Sequence, residues 1–132
     1  MMPRISVLVV DDHTGFRRSI IHFLNSAGKF EVVGEATNSI EGLALAHALR
    51  PQVVLLDIRM PGLNGLAIID TMRKALPNLI VVVLTLWDTP EYRNAALAHN
   101  KADAYVIKEN LLTELLPTLD NLLKTAGEGV TD

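Results

Sequence analysis

Four apolar runs of the sequence are each followed directly by polar residues that can do chemistry. Asp11 and Asp12 follow the first run, and Asp57, Thr85 and Lys108 follow three later runs. If these runs are parallel strands, their carboxyl ends lie at one edge of the sheet, which is where α/β proteins bind ligands. A single strand ending in aspartate would mean little, because aspartate also caps helices. Four such strand ends predict a shared site.

Three carboxylates at one site repel each other unless a cation lies between them. Oxygen ligands without histidine or cysteine suit Mg²⁺ or Mn²⁺ better than Zn²⁺. A carboxylate beside such an ion can attack phosphorus, and the ion, Lys108 and the hydroxyl of Thr85 can then hold the phosphoryl oxygens. The alternative is a buried lysine–aspartate ion pair without metal, which leaves two carboxylates unexplained.

The apolar runs have the length and composition of buried strands. They are short and rich in β-branched residues, and three are almost continuously hydrophobic, as expected for strands covered on both faces. The predicted strands are Ile5–Val10, Phe30–Ala36, Val53–Leu56, Leu79–Leu84 and Ala104–Ile107.

Apolar residues recur with helical spacing between and after these strands and predict five helices. Asn64 is a candidate N-cap of the third helix, and Thr89 of the fourth. Strands that alternate with helices indicate an α/β fold, a parallel sheet with helices on both faces. The predicted buried faces of the first, second, third and fifth helices are Phe16, Ile20, Phe23 and Leu24; Ile40, Leu43, Ala44 and His47; Ile69, Met72 and Leu76; and Leu112, Leu115, Leu116, Leu119, Leu122 and Leu123.

The composition is that of one packed domain. The 132 residues are 49% hydrophobic and 20% charged, which suits a folded core. A net charge of −3 gives no basic surface for nucleic acid, and the absence of cysteine excludes disulfides and thiol chemistry. No apolar run approaches the ~20 residues of a membrane span, so a cytoplasmic location is expected. We expect one domain over residues 1–125 and a flexible tail over residues 126–132.

Several motifs, in this order, resemble the receiver domain of two-component response regulators. They are the acidic pair after the first strand, Asp57–Gly65, Leu84-Thr85 and Ala104–Lys108. The resemblance extends from about Ile5 to Leu123. It implies a flavodoxin-like (βα)5 three-layer sandwich, with a five-stranded parallel sheet in the strand order 2-1-3-4-5.

The resemblance implies a metal site. Asp12 resembles the direct ligand of Mg²⁺, or of Mn²⁺ in its place, and Asp11 assists, often through water. Asp57 and the backbone carbonyl of Arg59 complete the protein's share of the coordination.

The resemblance also implies a phosphoryl site and a switch. Asp57 is the phosphoacceptor, and Thr85 and Lys108 hold the phosphoryl oxygens. Tyr105 resembles the aromatic switch residue, whose ring turns inward when Thr85 moves toward the phosphoryl group. The switch repacks the face made by the fourth helix, the fifth strand and the fifth helix.

The implied role is signalling rather than enzymatic. The phosphoryl donor is a sensor histidine kinase or a histidine phosphotransfer protein, and the switch controls an output. A homodimer that forms on phosphorylation through the switch face is also implied. We expect this chain itself to contact neither nucleic acid nor membrane.

Two sequence features place the chain within the family, and one position departs from it. Glu109 after the lysine and the sequence Asp57–Arg59 resemble the NarL/FixJ type, whose members usually carry a C-terminal helix-turn-helix domain. The chain is either a stand-alone receiver or part of a longer regulator of transcription. Leu86 stands where relatives commonly have a small residue, and we hypothesise that it crowds the pocket mouth and slows phosphorylation by small donors.

Two other functions compete with this interpretation. A pseudo-receiver would bind partners without phosphorylation and would lack an acidic, threonine or lysine position; none is lost, although Leu86 keeps this alternative open. A Mg²⁺-dependent phosphatase with an aspartyl-phosphate intermediate would place its acids in an Asp-x-Asp pattern, whereas Asp11 and Asp12 are adjacent. The histidines show no metal-ligand spacing, and His13 is expected to face solvent.

Overall fold

The computed structural model describes residues 3–57, 65–86, 94 and 102–131, with residues 65, 66 and 126–131 described by their backbone only. Five strands form one parallel sheet in the order β2-β1-β3-β4-β5, which confirms the predicted topology. The strands are β1 Ile5–Val10, β2 Phe30–Ala36, β3 Val53–Asp57, β4 Ile80–Thr85 and β5 Ala104–Ile107.

The third and fourth strands end one residue later than predicted. Asp57 lies opposite Leu84, and Thr85 lies opposite Ile107, so both polar residues belong to the ladder of the sheet. A polar side chain does not prevent its backbone from pairing with the next strand. The strand can therefore continue one residue beyond the end of the apolar run. Asp57 and Thr85 are therefore placed by the sheet itself rather than by a loop.

Helices cover both faces of the sheet, as predicted. The described helices are α1 Thr14–Ala27, α2 Ser39–Leu49, α3 Gly65–Ala75 and α4 Leu111–Thr131, the last of which follows a 3-10 turn at Lys108–Asn110. The predicted cap Asn64 and the predicted helix that starts at Thr89 lie outside the described residues, although Asn94 is helical. Within the described part of the chain, no helix is both long and apolar enough to cross a membrane.

The core consists of two apolar layers, one on each face of the sheet. Alternate residues of each strand point into opposite layers, so Leu8 belongs to one layer and Val9 to the other. One layer contains side chains of α2 and α3, and the other contains side chains of α1 and α4. The interior residues of the central strands are buried on both sides, which accounts for their continuous hydrophobic sequence.

The predicted buried face of α2 is wrong. Ile40 is 62% exposed, and Ala44 and His47 are also exposed. Of that predicted face only Leu43 is partly buried. The prediction placed the larger apolar side chains inward, and α2 does not follow that rule.

Small residues make the contact between α2 and the sheet. Gly42 and Ala46 are buried, and a Cβ atom at Gly42 would lie only 2.9 Å from Cγ1 of Val10. The backbone of α2 therefore lies very close to β1. A size-based pattern cannot detect a face that is buried because its side chains are small.

The last helix differs from its prediction at both ends. Leu112 is 71% exposed, and Leu111 is buried in its place, with Leu115 and Leu119 one and two turns further on. The helix continues to Thr131, so residues that were predicted to form a flexible tail are helical. The flexibility of residues 126–132 stays a prediction.

Candidate functional site

The carboxyl ends of four strands bring the predicted site residues to one edge of the sheet. Asp57 and Thr85 end β3 and β4, while Asp11 and Lys108 come directly after β1 and β5. A cavity of about 310 Å³ opens at this edge. Its lining consists of Asp12, His13, Phe16, Asp57, Thr85, Leu86 and Lys108.

Three aspartates form a compact acidic cluster beside this cavity. Asp11, Asp12 and Asp57 each place a carboxylate oxygen within 4.8 Å of the other two. Asp11 is completely buried and Asp57 nearly so, whereas Asp12 is exposed. Because like charges repel strongly where solvent is excluded, this cluster needs a positive partner.

Lys108 supplies one positive charge to the cluster. Its Nζ lies 2.6 Å from Oδ2 of Asp11 and 3.0 Å from Oδ2 of Asp57. The contact with Asp57 is a hydrogen bond, donated by the lysine and buried within the protein. One ammonium between two buried carboxylates leaves the cluster with an excess of negative charge.

The cluster fits a hard divalent cation. Oδ2 of Asp11 is buried and accepts no hydrogen bond within the described residues, because the short approach of Lys108 is an ion pair without hydrogen-bond geometry. The Lys108 ammonium already approaches this oxygen, but one ammonium offsets only one of the three carboxylate charges, so the cluster still favours a further cation. Mg²⁺ and Mn²⁺ prefer oxygen ligands of this kind. The predicted ligand carbonyl of Arg59 lies outside the described residues.

The acidic loop is held in place by its own hydrogen bonds. The backbone N–H of Asp11 donates to the carbonyl of Ala36, and Oδ1 of Asp11 accepts from the N–H of His13 at 2.8 Å. His13 caps α1, because its Nδ1 accepts from the N–H of Phe16 at 3.0 Å. His13 is exposed, as predicted, but it also lines the cavity and anchors the start of the helix.

A buried arginine that the sequence interpretation missed supports this loop from behind. Nη1 of Arg17 donates to the backbone carbonyl of Asp11 at 2.8 Å, and Nε pairs with Oε1 of Glu35 at 2.7 Å. Arg17 thereby connects α1 to the ends of β1 and β2. Its position in α1, one turn after the cap His13, was the available signal, but an arginine in an amphipathic helix is usually exposed.

Phe16 is the second residue that the sequence interpretation missed. It was predicted only as part of the buried face of α1, and the structure also places its ring at the cavity wall. The Nζ of Lys108 lies over this ring, 4.3 Å from its centroid. The sequence feature that could have indicated this second role was the position of Phe16 in the first turn of a helix that starts directly after the acidic pair.

The remaining predicted residues lie at and behind the cavity. Thr85 is buried and lines it, whereas Tyr105 is buried in the apolar layer that contains α2 and α3. Leu86 lines the cavity mouth with 70% of its surface exposed. Its effect on donor access stays a prediction, and the phosphorylation rate of Leu86→Ala with an acyl phosphate tests it.

Comparison with known proteins shows the family of this chain. The sequence model of the response regulator receiver domain matches residues 7–120, most of the chain. The chain belongs to the response regulator receiver family. It is thus a receiver domain of a two-component response regulator, which is a signalling domain.

Similar proteins support the resemblance to the NarL type. The nitrate/nitrite response regulator protein NarL of Escherichia coli K12 is 35% identical over 125 residues, which cover 95% of this chain and 56% of that protein. The transcriptional regulatory protein MctR of Rhizobium johnstonii is 33% identical, with 96% of this chain and 58% of that protein covered. The receiver chain therefore spans little more than half the length of these curated relatives.

A solved structure shows the same architecture. The signal receiver domain of the response regulator NarL from Mycobacterium tuberculosis is 31% identical to this receiver, with a TM-score of 0.82. The match covers 96% of this chain and 98% of that chain. The flavodoxin-like fold and the strand order are thus those of a known receiver.

Proposed function

We propose that this receiver accepts a phosphoryl group on Asp57 from the phosphohistidine of a sensor histidine kinase or a histidine phosphotransfer protein. One observation carries the proposal. The carboxylate of Asp57 lies at the cavity, is paired with Lys108 at 3.0 Å, and has oxygens of Asp11 and Asp12 within 4.8 Å. Membership of the receiver family supports the same chemistry.

In the proposed transfer, a carboxylate oxygen of Asp57 forms the new bond to phosphorus. The phosphorus–nitrogen bond of the donor breaks, and its electron pair returns to the imidazole ring. Lys108 already contacts Asp57 and can hold a phosphoryl oxygen, and the Thr85 hydroxyl can donate to another. The excess negative charge of the cluster opposes transfer of an anionic group until a cation offsets it.

Asp11, Asp12 and Asp57 would hold that cation, together with the backbone carbonyl of Arg59 as predicted from the sequence. A bound Mg²⁺ supplies charge neutralisation to the transferring phosphoryl oxygens. The three aspartates would orient it, and the backbone contacts of Asp11 keep the buried part of the cluster in one position.

The proposed switch connects Thr85 to Tyr105. In the register of β4 and β5, Tyr105 lies opposite Val83, two residues before Thr85. Residues two apart along a strand point to the same face, so Thr85 and Tyr105 project from the same face of the sheet. Movement of Thr85 toward a phosphoryl group would therefore change the packing around Tyr105, which is 9% exposed.

The output stays a proposal as well. MctR is named a transcriptional regulatory protein, and this chain covers 58% of it, so we propose that this receiver controls transcription within a longer regulator. Dimerisation through the switch face stays a prediction, because most of the predicted fourth helix lies outside the described residues.

The proposal is tested by intact mass after incubation with a phosphorylated histidine kinase domain or with phosphoramidate. We expect a gain of one phosphoryl group that requires Mg²⁺, is prevented by a chelator and is absent in Asp57→Asn. Asp120→Asn, an exposed aspartate on α4, is the matched control and should behave as the wild type. No adduct on the wild type with either donor would support the pseudo-receiver instead, and rapid turnover of varied phosphate esters would support the phosphatase.

A further inference from the structure

The ammonium group of Lys108 lies among two carboxylates and one aromatic ring. Besides its contacts with Asp11 and Asp57, its Nζ lies over the ring of Phe16, 4.3 Å from the centroid. A cation within about 6 Å of a ring centroid is attracted to the negative face of the ring, more strongly where water is excluded. Lys108 is only 8% exposed, so its attraction to Phe16 acts in a largely desolvated site.

The ring differs from the carboxylates in one respect. Asp11 and Asp57 both belong to the cluster that fits a divalent cation, so a metal ion and the ammonium of Lys108 would compete for their oxygens. A phenyl ring offers no oxygen ligand, and its contact with the ammonium is not subject to this competition.

The backbone that carries the ring is bonded to the acidic loop. The backbone N–H of Phe16 donates to the cap residue His13, which directly follows Asp12. Phe16 is partly buried and lies against the same apolar layer as Ile20. The first turn of α1 thus places the backbone of Phe16 beside the acidic loop, and its side chain packs against the apolar layer.

We propose that Phe16 is a positioning residue for Lys108, whose ammonium its ring face keeps at the cavity wall within reach of Asp57. This inference rests on the proposed function, since it assigns Lys108 to the phosphoryl oxygens. The competing explanation is that Phe16 only packs α1 against the sheet. Packing depends on the size of the ring, whereas the attraction to a cation depends on its electron density.

Fluorination separates the two explanations, because fluorine withdraws electron density from the ring face with little change in size. Site-specific incorporation of mono-, di- and trifluorophenylalanine at position 16 should lower the rate of phosphoryl acceptance step by step. Across the series we expect a loss of about two- to thirtyfold, the range that the strength of such contacts allows. Phe16→Trp should retain the rate, and Phe16→Leu should lose as much as the trifluorinated ring.

Phe23 provides the matched control on the same helix. It is partly buried in the same apolar layer and lies two turns beyond Phe16, away from the acidic loop. The same fluorinated series at Phe23 should leave the rate unchanged.

A second measurement needs neither metal nor donor. In the metal-free protein, NMR should show the Hε resonances of Lys108 shifted upfield by the ring current of Phe16, and Phe16→Leu should abolish that shift. A normal Lys108 shift, or a rate that does not change across the position-16 series, overturns the inference while the proposed function stands. A wild type that accepts no phosphoryl group overturns the proposed function, and the role of Phe16 in it as well.

Discussion

The chemistry of single residues in this receiver depends on the charges beside them. Asp57 would be an ordinary strand-end carboxylate without Asp11 and Asp12, which make the site strongly negative, and without Lys108, which offsets part of that charge. The four groups are tightly coupled because three of them are buried. A change at one should therefore alter the others.

Removal of Lys108 is the sharpest test of this coupling. Lys108→Met removes the ammonium with a side chain that is shorter by one atom, and it leaves two buried carboxylates without this cation. Loss of one partner of a buried ion pair costs on the order of 3–5 kcal/mol, so the free energy of unfolding should fall markedly in the absence of metal. Mg²⁺ should restore more stability to the variant than it adds to the wild type, as measured by urea unfolding with and without Mg²⁺.

Lys29→Met is the matched control for this experiment. Lys29 pairs with Asp120 at 3.2 Å, but both side chains are at least half exposed, so its loss should cost at most about 1 kcal/mol. Equal stability of Lys108→Met and the wild type, with an equal response to Mg²⁺, would contradict the charge balance described for the site.

Residue types at strand ends were sufficient to predict Asp11, Asp12, Asp57, Thr85 and Lys108 as neighbours. Phe16 and Arg17 were not predicted to act at the site, for a physical reason. Both lie on α1. Helical spacing alone explains an apolar residue at position 16 as part of the buried face, and an arginine in such a helix is expected to be exposed. Only the tertiary structure shows that the ring of Phe16 lies beneath the ammonium of Lys108 and that Arg17 donates to the carbonyl of Asp11.

At the scale of elements, Arg17 connects three parts of the fold. It joins α1 to the carbonyl of Asp11 after β1 and to Glu35 in β2. Arg17→Met should lower the free energy of unfolding by about 1.5–3 kcal/mol, the usual contribution of hydrogen bonds made by a charged group. It should also weaken Mg²⁺ binding, measured by calorimetry, because the acidic loop loses its support.

Arg18→Met is the control for this prediction, since Arg18 is the next residue of α1 and is exposed. It should leave both stability and Mg²⁺ affinity close to those of the wild type. If Arg17→Met matches Arg18→Met in both measurements, Arg17 does not support the loop.

The contact between α2 and β1 makes a second prediction at this scale. A methyl group at Gly42 would lie 2.9 Å from Cγ1 and 3.1 Å from Cγ2 of Val10, so α2 must move away from the sheet. Gly42→Ala should therefore destabilise the protein by about 1–3 kcal/mol, as overpacking does. Urea unfolding measures this change.

Gly15→Ala in α1 is the matched helical control. Its new methyl group would come no closer than 3.4 Å, to the side chain of His13, so alanine should be neutral or slightly stabilising. Equal effects at Gly15 and Gly42 would show that α2 can adjust at no cost.

The same contact shows where sequence patterns are insufficient. Apolar periodicity predicted the buried faces of α1 and α3 because large side chains fill those interfaces. It failed for α2, whose buried face is made by Gly42 and Ala46, and it included Leu112, which the start of α4 at Leu111 leaves exposed. Packing of small residues and the rotation of a helix about its axis are set by tertiary contacts.

For the whole molecule, the alternation of strands and helices was enough to predict a parallel sheet with two covered faces. The order 2-1-3-4-5 came from the resemblance to receivers, because alternation alone permits several strand orders. This order places β1 beside β3 in the middle of the sheet, which brings the acidic pair next to Asp57. The topology thus assembles the site from residues that are distant in sequence.

The central claim is that a phosphoryl group is transferred to Asp57. Borohydride reduces an aspartyl phosphate to homoserine, so reduction after incubation with Mg²⁺ and a phosphohistidine donor, followed by peptide mass spectrometry, locates the acceptor. The account predicts homoserine at position 57, at no other aspartate, and only when Mg²⁺ is present. Homoserine at Asp11 or Asp12, or an unmodified Asp57 after incubation with an active donor, would contradict it.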